Sequence, residues 1–422
     1  MTINQLNRSM TNIFHYLLYF AGFFACVPVV RIGSYSLYVW VMGAIIGLSI
    51  LSGRIHARVT PLLPMALSAV ITYASANSFL NSSYRDNNAK GLFSILIVFV
   101  VTMMSLVNSA DSKSVIDGVL LAGKLNVIWI FVQTFFGSLL KFDINDFVFN
   151  RLLHMVDTAS QKKASGLVAT GLCWNVGGIA AALILVFALI PGSWKLLAFL
   201  ACVLSQSSTA IVGVIVVLIY YISKNISEGK YNNILTKKNM SVFSGVVSAV
   251  LLIVIFSERI QMTLGKVLAP TLHRVLTVFS DSNQYDSSAT AHFAYYTNLP
   301  KLIPQMNFKQ FLFGYGIDCS GLPYTRLTHQ YWWLDSWFLE SDIVNTFLGM
   351  GVLGIVSLYF YLIYILVKKW NNNRIISIIM ISFIVCGFFY DIQSVTYYWL
   401  LFVEFALIKY LPESQTNVLQ KR

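Results

Sequence analysis

Three acidic residues precede a long apolar segment in the last third of the sequence. Asp335, Glu340 and Asp342 lie in "DSWFLESDIVNTFLGMGVLGIVSLYFYL", residues 335 to 362. A carboxylate beside Trp337 and at the edge of an apolar segment loses part of its hydration, which makes it a better general base. Acidic residues are also typical of the first turn of a helix, where they cap the chain and interact favourably with the helix dipole. Both interpretations are open for these residues.

Glu340 is our candidate catalytic base, because it stands at the entrance to the apolar segment. Asp342 follows two residues later, so the two side chains cannot share one helix face. Asp335, Asp342 and Trp337 are predicted to support the site or to contact a sugar. The aromatic residues Tyr324, Tyr331, Trp332, Trp333 and Trp337 are able to stack on sugar rings, although an aromatic belt at a membrane interface explains them equally well.

Basic residues form the second group with chemical potential, since cations can hold an anionic leaving group. The candidates are Arg151, Lys162, Lys163, Arg274, His292 and Arg326. Lys162 and Lys163 come just before a Gly-containing helix start in "QKKASGL", a position suited to binding phosphate. Ordinary solvated charge is the alternative for the lysines and arginines, and a packing role is the alternative for His292. Lys124 stands inside an apolar segment, where either a function or a structural partner is expected.

The sequence lacks the usual signatures of several enzyme classes. It contains no P-loop, GxGxxG, HExxH or GxSxG motif, so it offers no signature of nucleotide hydrolysis, dinucleotide chemistry, zinc proteolysis or serine esterase chemistry. The five cysteines show no metal-ligand spacing, and the four in or beside apolar segments are predicted to pack as thiols. An enzyme of this composition needs a substrate that arrives already activated. A lipid diphosphate meets this requirement, because its diphosphate is an anionic leaving group. We predict no metal and no other cofactor.

The composition defines the elements that must position these residues. With 57% hydrophobic and 11% charged residues in 422, the chain has too little polar surface for a soluble protein of its size. We predict an all-α, polytopic membrane bundle that forms a single domain over residues 1 to 422 and whose first helix is retained. The twelve candidate spans are residues 13–30, 35–51, 62–80, 91–107, 116–140, 168–190, 194–204, 207–223, 241–257, 341–367, 375–390 and 394–411.

Charge in the short connections predicts the orientation of the bundle. Most of the lysines and arginines there fall on one side, which the positive-inside rule makes cytoplasmic, together with both termini. Two large loops, residues 141 to 167 and residues 258 to 340, then face outward. The second loop is too apolar for disorder, and "LPKLIPQMNFKQFLFGYGI" and "HQYWWLDSWFLE" predict short amphipathic helices at the interface.

Four sequence pieces resemble the bacterial O-antigen polymerases of the Wzy type, relatives of the O-antigen ligases. They occur in the family's order over about residues 160 to 367, whereas the N-terminal third matches only as generic spans. The pieces are "KKASGL", "LSQSSTAIVG", "SSATAHFAYYTNLPKLI" with "FLFGYGI", and "WFLESDIVNTFLGMGVLGIVSLYFYL".

The resemblance implies a membrane glycosyltransferase of the bacterial inner membrane with its active site facing the periplasm. Such an enzyme transfers a growing glycan from undecaprenyl diphosphate to the non-reducing end of a lipid-linked repeat unit. Glu340 falls where the ligase relatives have a proposed catalytic histidine. Ser208 and His292 stand in place of two family arginines that are thought to hold phosphate. Lys162, Lys163, Arg274 and His292 are the diphosphate-binding residues that we predict, with Arg151 and Arg326 in supporting positions.

The resemblance also implies partners and leaves alternatives. The expected partners are undecaprenyl-diphosphate-linked oligosaccharide repeat units, membrane lipid, a chain-length regulator and a flippase, and no nucleic acid. An O-antigen ligase is the nearest alternative, although Glu340 in place of histidine argues against it. A flippase or transporter for the lipid-linked oligosaccharide, or a scaffold without activity, are the alternatives from other classes.

Overall fold

The computed structural model describes residues 3–32, 35–51, 109–140, 142–153, 171–173, 176–205, 207–227, 287–316, 320–328 and 339–390. Four of the predicted spans, residues 62–80, 91–107, 241–257 and 394–411, lie outside this part of the chain.

The described part is mostly helical, which confirms the helical class predicted from the composition. A two-residue antiparallel ladder, in which Arg31 pairs with Ser36 and Ile32 with Tyr35, lies between the first two helices. A π-helix, Asp146–Leu152, and a 3-10 turn, Ile303–Gln305, are the short irregular elements. The regular elements are α1 (Ile3–Ala25), β1 (Arg31–Ile32), β2 (Tyr35–Ser36), α2 (Leu37–Leu51), α3 (Ser109–Leu139), α4 (Val176–Leu189), α5 (Ser193–Ser205), α6 (Ser208–Ser227), α7 (Ser287–Leu302), α8 (Phe308–Phe313), α9 (Gly321–Thr328), α10 (Asp342–Trp370) and α11 (Arg374–Gly387).

The described helices differ in whether they are long and apolar enough to cross a membrane. Among the described residues, one helix, Ser112–Gly137 within α3, is long and apolar enough to span a bilayer alone. Helix α10 would be a second if its two parts, Asp342–Val356 and Leu358–Trp370, form one span, and these parts are inclined to each other by 55°. The other apolar helices are shorter, including α4 with 14 residues and α5 with 13.

Helix α4 is the centre of the larger hydrophobic core. Its side chains from Ile179 to Val186 are almost completely buried on every side. Helices α3, α5, α6 and α11 all pack against it. A helix that is apolar all round must be enclosed by protein or by lipid, and here the surrounding helices supply most of that enclosure. The four cysteines predicted to pack as thiols, Cys26, Cys173, Cys202 and Cys386, are buried and free, whereas Cys319 lies outside the described residues.

Helices α1 and α3 run in the same direction. His15 near the middle of α1 contacts Ser114 near the start of α3. Further along both helices, the Asn126 amide donates to the carbonyl of Cys26 just after α1. The thiol of Cys173 also donates to that carbonyl, at 3.1 Å, so the chain enters α4 where α1 ends.

The remaining long helices alternate in direction. Paired contacts show that α6 runs parallel to α4, that α11 runs antiparallel to α6, and that α10 runs antiparallel to α11. The contacts are Ile184 with Gly213, Ala188 with Tyr221, Cys386 with Thr209, Ser382 with Gly213, Asp342 with Gly387, and Leu366 with Ser377.

These directions give the bundle two chemically different ends. We call the first the Lys224 end, where α6 and α10 finish and where α5 and α11 begin. It carries Lys195, Lys224, Lys368, Lys369 and Arg374. We call the second the Glu340 end, where α10 begins beside the last turn of α11. The charge pattern of the sequence predicts this separation of Glu340 from the basic residues of the short connections.

Apolar side chains are exposed along the outer faces of two helices. On α6, Ile215, Ile219 and Ile222 are 38 to 57% exposed. Helix α10 has a similar stripe that begins at the end of its first part and consists of Val356, Phe360, Ile363 and Val367. These spacings place each set along one helix face, so both helices present a continuous apolar surface.

The contact of α1 with α3 depends on glycine at the point of closest approach. We expect Gly118→Ala to lower the free energy of unfolding by about 1–3 kcal/mol, as overpacking does, because its Cβ would overlap the main-chain carbonyl of Tyr19. Gly47→Ala in α2 is the control, because a Cβ there meets no atom within 4 Å. Both changes remove a helical glycine, so the intrinsic helix propensity changes equally. Thermal unfolding of the purified variants measures the difference, and equal midpoints would contradict this close packing.

Candidate functional site

Five elements meet at the Glu340 end: α7, α8, α9, the start of α10 and the last turn of α11. They enclose a second, smaller hydrophobic cluster, distinct from the core around α4. Its buried members are Tyr295, Leu302, Tyr324, Leu339, Val344, Phe347 and Leu348. The first segment predicted to form short helices, residues 299 to 317, contains the end of α7, the 3-10 turn and α8. The second, residues 329 to 340, lies almost wholly outside the described residues.

Glu340 lies just before α10 and is partly exposed. Tyr295 of α7 is its neighbour, with a hydrogen bond between the tyrosine hydroxyl and the main chain of Glu340. Burial, the Glu340 carboxylate and Tyr324 together raise the pKa of Tyr295 well above its usual range, and the main-chain hydrogen bond opposes only part of this effect. Tyr295 therefore stays protonated at physiological pH, and Glu340 combines solvent access with a neutral phenol beside it.

Asp342 lies in a different environment although it is only two residues away. It is the first residue of α10, and only 5% of its surface is exposed. A Cβ atom added to Gly387 would lie 2.5 Å from its carboxylate, so Asp342 packs directly on the end of α11. It also interacts electrostatically with Cys386, whose thiol donates to the carbonyl of Thr209 at 3.2 Å. Asp342 thus belongs to the junction of α6, α10 and α11.

Ser341, between the two acids, is held by Tyr296 of α7. The Tyr296 hydroxyl lies 2.8 Å from the Ser341 hydroxyl and donates to the carbonyl of Phe388, also at 2.8 Å. Burial raises the pKa of Tyr296, so its hydroxyl remains a donor. One tyrosine therefore joins α7 to the start of α10 and to the end of α11.

Ser320 holds the same segment from the side of α9. Its hydroxyl donates to the side-chain oxygen of Asn345 and accepts the main-chain N–H of Leu339 at 3.0 Å. Helices α7 and α9 are joined in turn, because the Asn298 amide donates to the Tyr324 hydroxyl at 3.0 Å. Residues 339 to 341 are thus fixed by neighbours on both sides.

A glycine turn after α8 fits into a break in α10. Gly351 has non-helical torsion angles, φ 68° and ψ −168°. The carbonyls of Leu348 and Gly349, which a continuous helix would pair with later N–H groups of α10, instead accept N–H groups of Tyr315 and Gly316, each at 2.7 Å. Gly314 in this turn also has a positive φ of 73°. The turn and the helix break satisfy each other's main chain.

The predicted site residues fall into three groups. The first group lies outside the described residues and consists of Lys162, Lys163, Arg274, Tyr331, Trp332, Trp333, Asp335 and Trp337. His292 lies in α7, one helical turn before Tyr295, and Arg326 lies in α9, so both positions are on elements that meet at the Glu340 end. Ser208 begins α6, beside Thr209 and the Asp342 junction.

Two of the sequence-based roles change with the structure. Arg151 is 73% exposed and binds the Asp146 carboxylate at 2.9 Å, so its charge is largely matched by a local partner. Tyr324 was a candidate for stacking on a sugar, and this prediction is wrong, since only 2% of its surface is exposed and its hydroxyl donates to the carbonyl of Ala294. Tyr324 packs in the smaller hydrophobic cluster and joins α9 to α7.

Several residues that shape the site were not predicted from the sequence. Tyr295, Tyr296, Ser320, Ser341 and Asn345 surround Glu340 or hold its segment. The Tyr-Tyr pair one turn after His292 was the available signal, because adjacent tyrosines on a short amphipathic helix can contact two different partners. Their partners could not be read from the sequence.

No protein-family model matches the sequence, and the search of curated proteins finds no match to it.

The interlock of the glycine turn with α10 predicts a large effect of one methyl group. We expect Gly314→Ala to destabilise the protein by more than about 3 kcal/mol, because it adds a strained positive φ and a clash with the main chain of Gly349. Gly192→Ala is the matched control, since Gly192 also has a positive φ, 76°, but its Cβ would meet nothing within 4 Å. Unfolding midpoints should fall much further for Gly314→Ala than for Gly192→Ala. A similar small loss in both would mean that only the torsion angle matters.

Proposed function

We propose that this protein is a bacterial surface-polysaccharide polymerase, a membrane glycosyltransferase that uses a lipid-diphosphate donor. The acceptor is the non-reducing end of an undecaprenyl-diphosphate-linked repeat unit, and the reaction takes place on the periplasmic side of the inner membrane. The observation that carries the proposal is Glu340, an accessible carboxylate held in a fixed segment beside a neutral tyrosine. The sequence resemblance supplies the reaction type.

The distribution of charge and apolar surface supports a multi-pass membrane location. The apolar stripes on α6 and α10 would face lipid, because exposed apolar surfaces of this extent mark membrane or protein contacts. The basic residues gather at the Lys224 end, which the positive-inside rule assigns to the cytoplasm. Glu340 is then on the periplasmic side, where the lipid-linked chains would be joined.

In the proposed reaction, an acceptor hydroxyl attacks the anomeric carbon of the donor sugar. The new glycosidic C–O bond forms as the bond from the anomeric carbon to the diphosphate oxygen breaks. Glu340 accepts the hydroxyl proton and later releases it to water, while the buried Tyr295 holds the main chain of Glu340 in place. The diphosphate leaves with the bonding electron pair, so the step needs no further reactant.

Cations must compensate the charge on the departing diphosphate. Lys162, Lys163 and Arg274 are proposed for this role from the sequence, together with His292. The position of His292 on α7, one turn from Tyr295, supports its inclusion, because α7 is bound to the segment that carries Glu340. Arg326 on α9 is a further candidate for the same reason. Asp342 is proposed to organise the helix junction rather than to contact the acceptor.

A transporter of the lipid-linked oligosaccharide is the second candidate, because of the break in α10. Discontinuous helices are typical of secondary transporters, where freed main-chain groups line the substrate path. In this protein the carbonyls freed at the break are bonded to Tyr315 and Gly316. That pairing removes them from any substrate path and favours a structural role for the break, so the enzyme remains the main proposal.

Replacing the proposed base should abolish chain extension. We expect Glu340→Gln to lower polymerisation at least about 100-fold, the usual contribution of a general base, while the protein accumulates normally. The measurement is the lipopolysaccharide banding pattern of a strain that lacks this gene and carries either the native gene or the variant. With Glu340→Gln, we expect lipopolysaccharide whose core carries a single repeat unit.

Asp143→Asn provides the matched control, because it also replaces a carboxylate by an amide. Asp143 lies between α3 and the π-helix, where its carboxylate accepts the main-chain N–H of Asp146. This variant should give a complete ladder. Glu340→Gln with a complete ladder would remove Glu340 from the mechanism. Core without any repeat in the gene deletion would point to a ligase or a transporter instead, because export or attachment would then have failed.

A further inference from the structure

The turn between α10 and α11 contains a buried amide whose N–H groups bind no acceptor. Asn373 is the N-cap residue of α11, and only 8% of its surface is exposed. Its side-chain nitrogen is buried and has no hydrogen-bond partner within the described part of the chain. A buried donor without an acceptor is costly, so this position favours the binding of a group that supplies one.

The start of α11 presents further donors at the same place. The first N–H groups of a helix have no intrahelical acceptor, which applies here to Arg374 and Ile375. The Asn373 side chain does not cap them, and the next N–H, that of Ile376, donates to the Asn373 carbonyl at 3.0 Å. A helix start combines such N–H groups with the positive end of the helix dipole, which is why helix starts bind anions.

Two lysines bring positive charge to this turn. Lys369 is only 5% exposed, and its carbonyl accepts the N–H of Asn373 at 2.7 Å, so the two residues are one helical turn apart. Lys368 is close enough to Lys369 for their charges to repel. The Lys368 ammonium lies 5.3 Å from the centre of the Tyr364 ring, a contact that holds the side chain but leaves its charge.

The helices around this turn carry no acidic residue. The sequence from Leu358 to Gly387, which covers the second part of α10 and all of α11, contains no aspartate or glutamate. Helices α4 and α6, which pack against α11, contain none either. Within the described part of the chain, the elements next to this turn therefore supply donors and cations but no carboxylate. An anion from outside the chain would match them.

The position of Lys369 on α10 favours a small anion. Lys369 follows Leu362 and Ile365 on the buried face of α10, whereas the exposed apolar stripe of this helix lies on the opposite face. A lipid whose acyl chains cover that stripe would carry its headgroup on the other side of α10 from Lys369. A phosphate group has several oxygen acceptors and a negative charge, which suit an amide, two N–H groups and a lysine together.

We propose that the turn between α10 and α11 binds a phosphate group. The Asn373 amide and the N–H groups at the start of α11 donate to its oxygens, and Lys369 supplies positive charge. A free phosphate compound and a phospholipid headgroup offer the same chemistry, and the buried face of α10 favours the free compound. The site lies at the opposite end of the bundle from Glu340 and does not rest on the proposed polymerase activity.

The test is isothermal titration calorimetry on the purified full-length protein in a neutral detergent and a phosphate-free buffer. Inorganic phosphate is the probe, and potassium chloride at equal ionic strength is the blank. Phosphatidic acid in mixed micelles with phosphatidylcholine represents the lipid source. We expect Asn373→Asp to weaken phosphate binding at least about tenfold, because it replaces a charge-assisted hydrogen bond by repulsion between like charges. Aspartate is a good N-cap residue, so α11 should keep its start.

Lys369→Met is the second test variant, because methionine keeps an unbranched side chain and removes the charge, and we expect a similar loss. Asn372→Asp is the matched control, since it makes the same change from amide to carboxylate at the neighbouring, exposed position. It should alter binding by less than about threefold, as a solvent-exposed charge does. Unfolding midpoints without phosphate show which variants fold, and having two test variants keeps the test valid if one does not.

Binding that is weakened in both test variants and kept in Asn372→Asp supports the site. Equal weakening in all three variants would overturn it in favour of diffuse attraction, and unchanged binding in both test variants would overturn it as well. A native protein that binds neither inorganic phosphate nor phosphatidic acid would also overturn it. Binding of phosphatidic acid alone, weakened in the same two variants, would support the site with a lipid headgroup as its source. Glu340→Gln should bind phosphate normally, so this result is independent of the polymerisation test.

Discussion

The main-chain contact between the turn after α8 and the break in α10 is the constraint on which the Glu340 end depends. A buried carbonyl without a hydrogen-bond partner is costly, so α10 can deviate at Gly351 only if another main chain supplies donors to Leu348 and Gly349. Tyr315 and Gly316 supply them. Because two main chains meet here without intervening side chains, the elements of the long loop are fixed relative to the bundle, and α7 and α9 are carried with them.

From that fixed point, a small number of polar contacts define the surroundings of Glu340. Tyr296 and Ser320 hold residues 339 to 341 from two sides. They orient Glu340 toward Tyr295 while Asp342 turns into the helix junction against Gly387. Two acids separated by a single residue therefore have different chemistry. A partly exposed carboxylate next to a neutral phenol can accept a proton, whereas a buried carboxylate at a helix junction stabilises the helix start.

The alternating helix directions keep the two ends of the bundle chemically separate. At the Lys224 end, the ammonium groups of Lys195 and Lys368 lie over the rings of Tyr221 and Tyr364. At the Glu340 end, the tyrosine hydroxyls of α7 and α9 bind neighbouring main-chain groups. In the proposed function, the first end would face the cytoplasm and the second would perform the chemistry, and helix α4 in the centre connects them through continuous packing.

The sequence by itself determined the helical class, the burial of the four thiols, a short helix within residues 299 to 317 and the start of α10 close to residue 341, because these follow from composition and local periodicity. The separation of charge between the two ends also followed from the sequence, since helix direction reverses with each connection. Only the tertiary structure decided that Glu340 and not Asp342 is accessible, that Tyr324 is buried, and that α10 breaks at Gly351. These properties come from contacts between residues far apart in the chain, such as Tyr296 with Phe388, and local sequence contains no information on which distant group will supply the missing hydrogen bond.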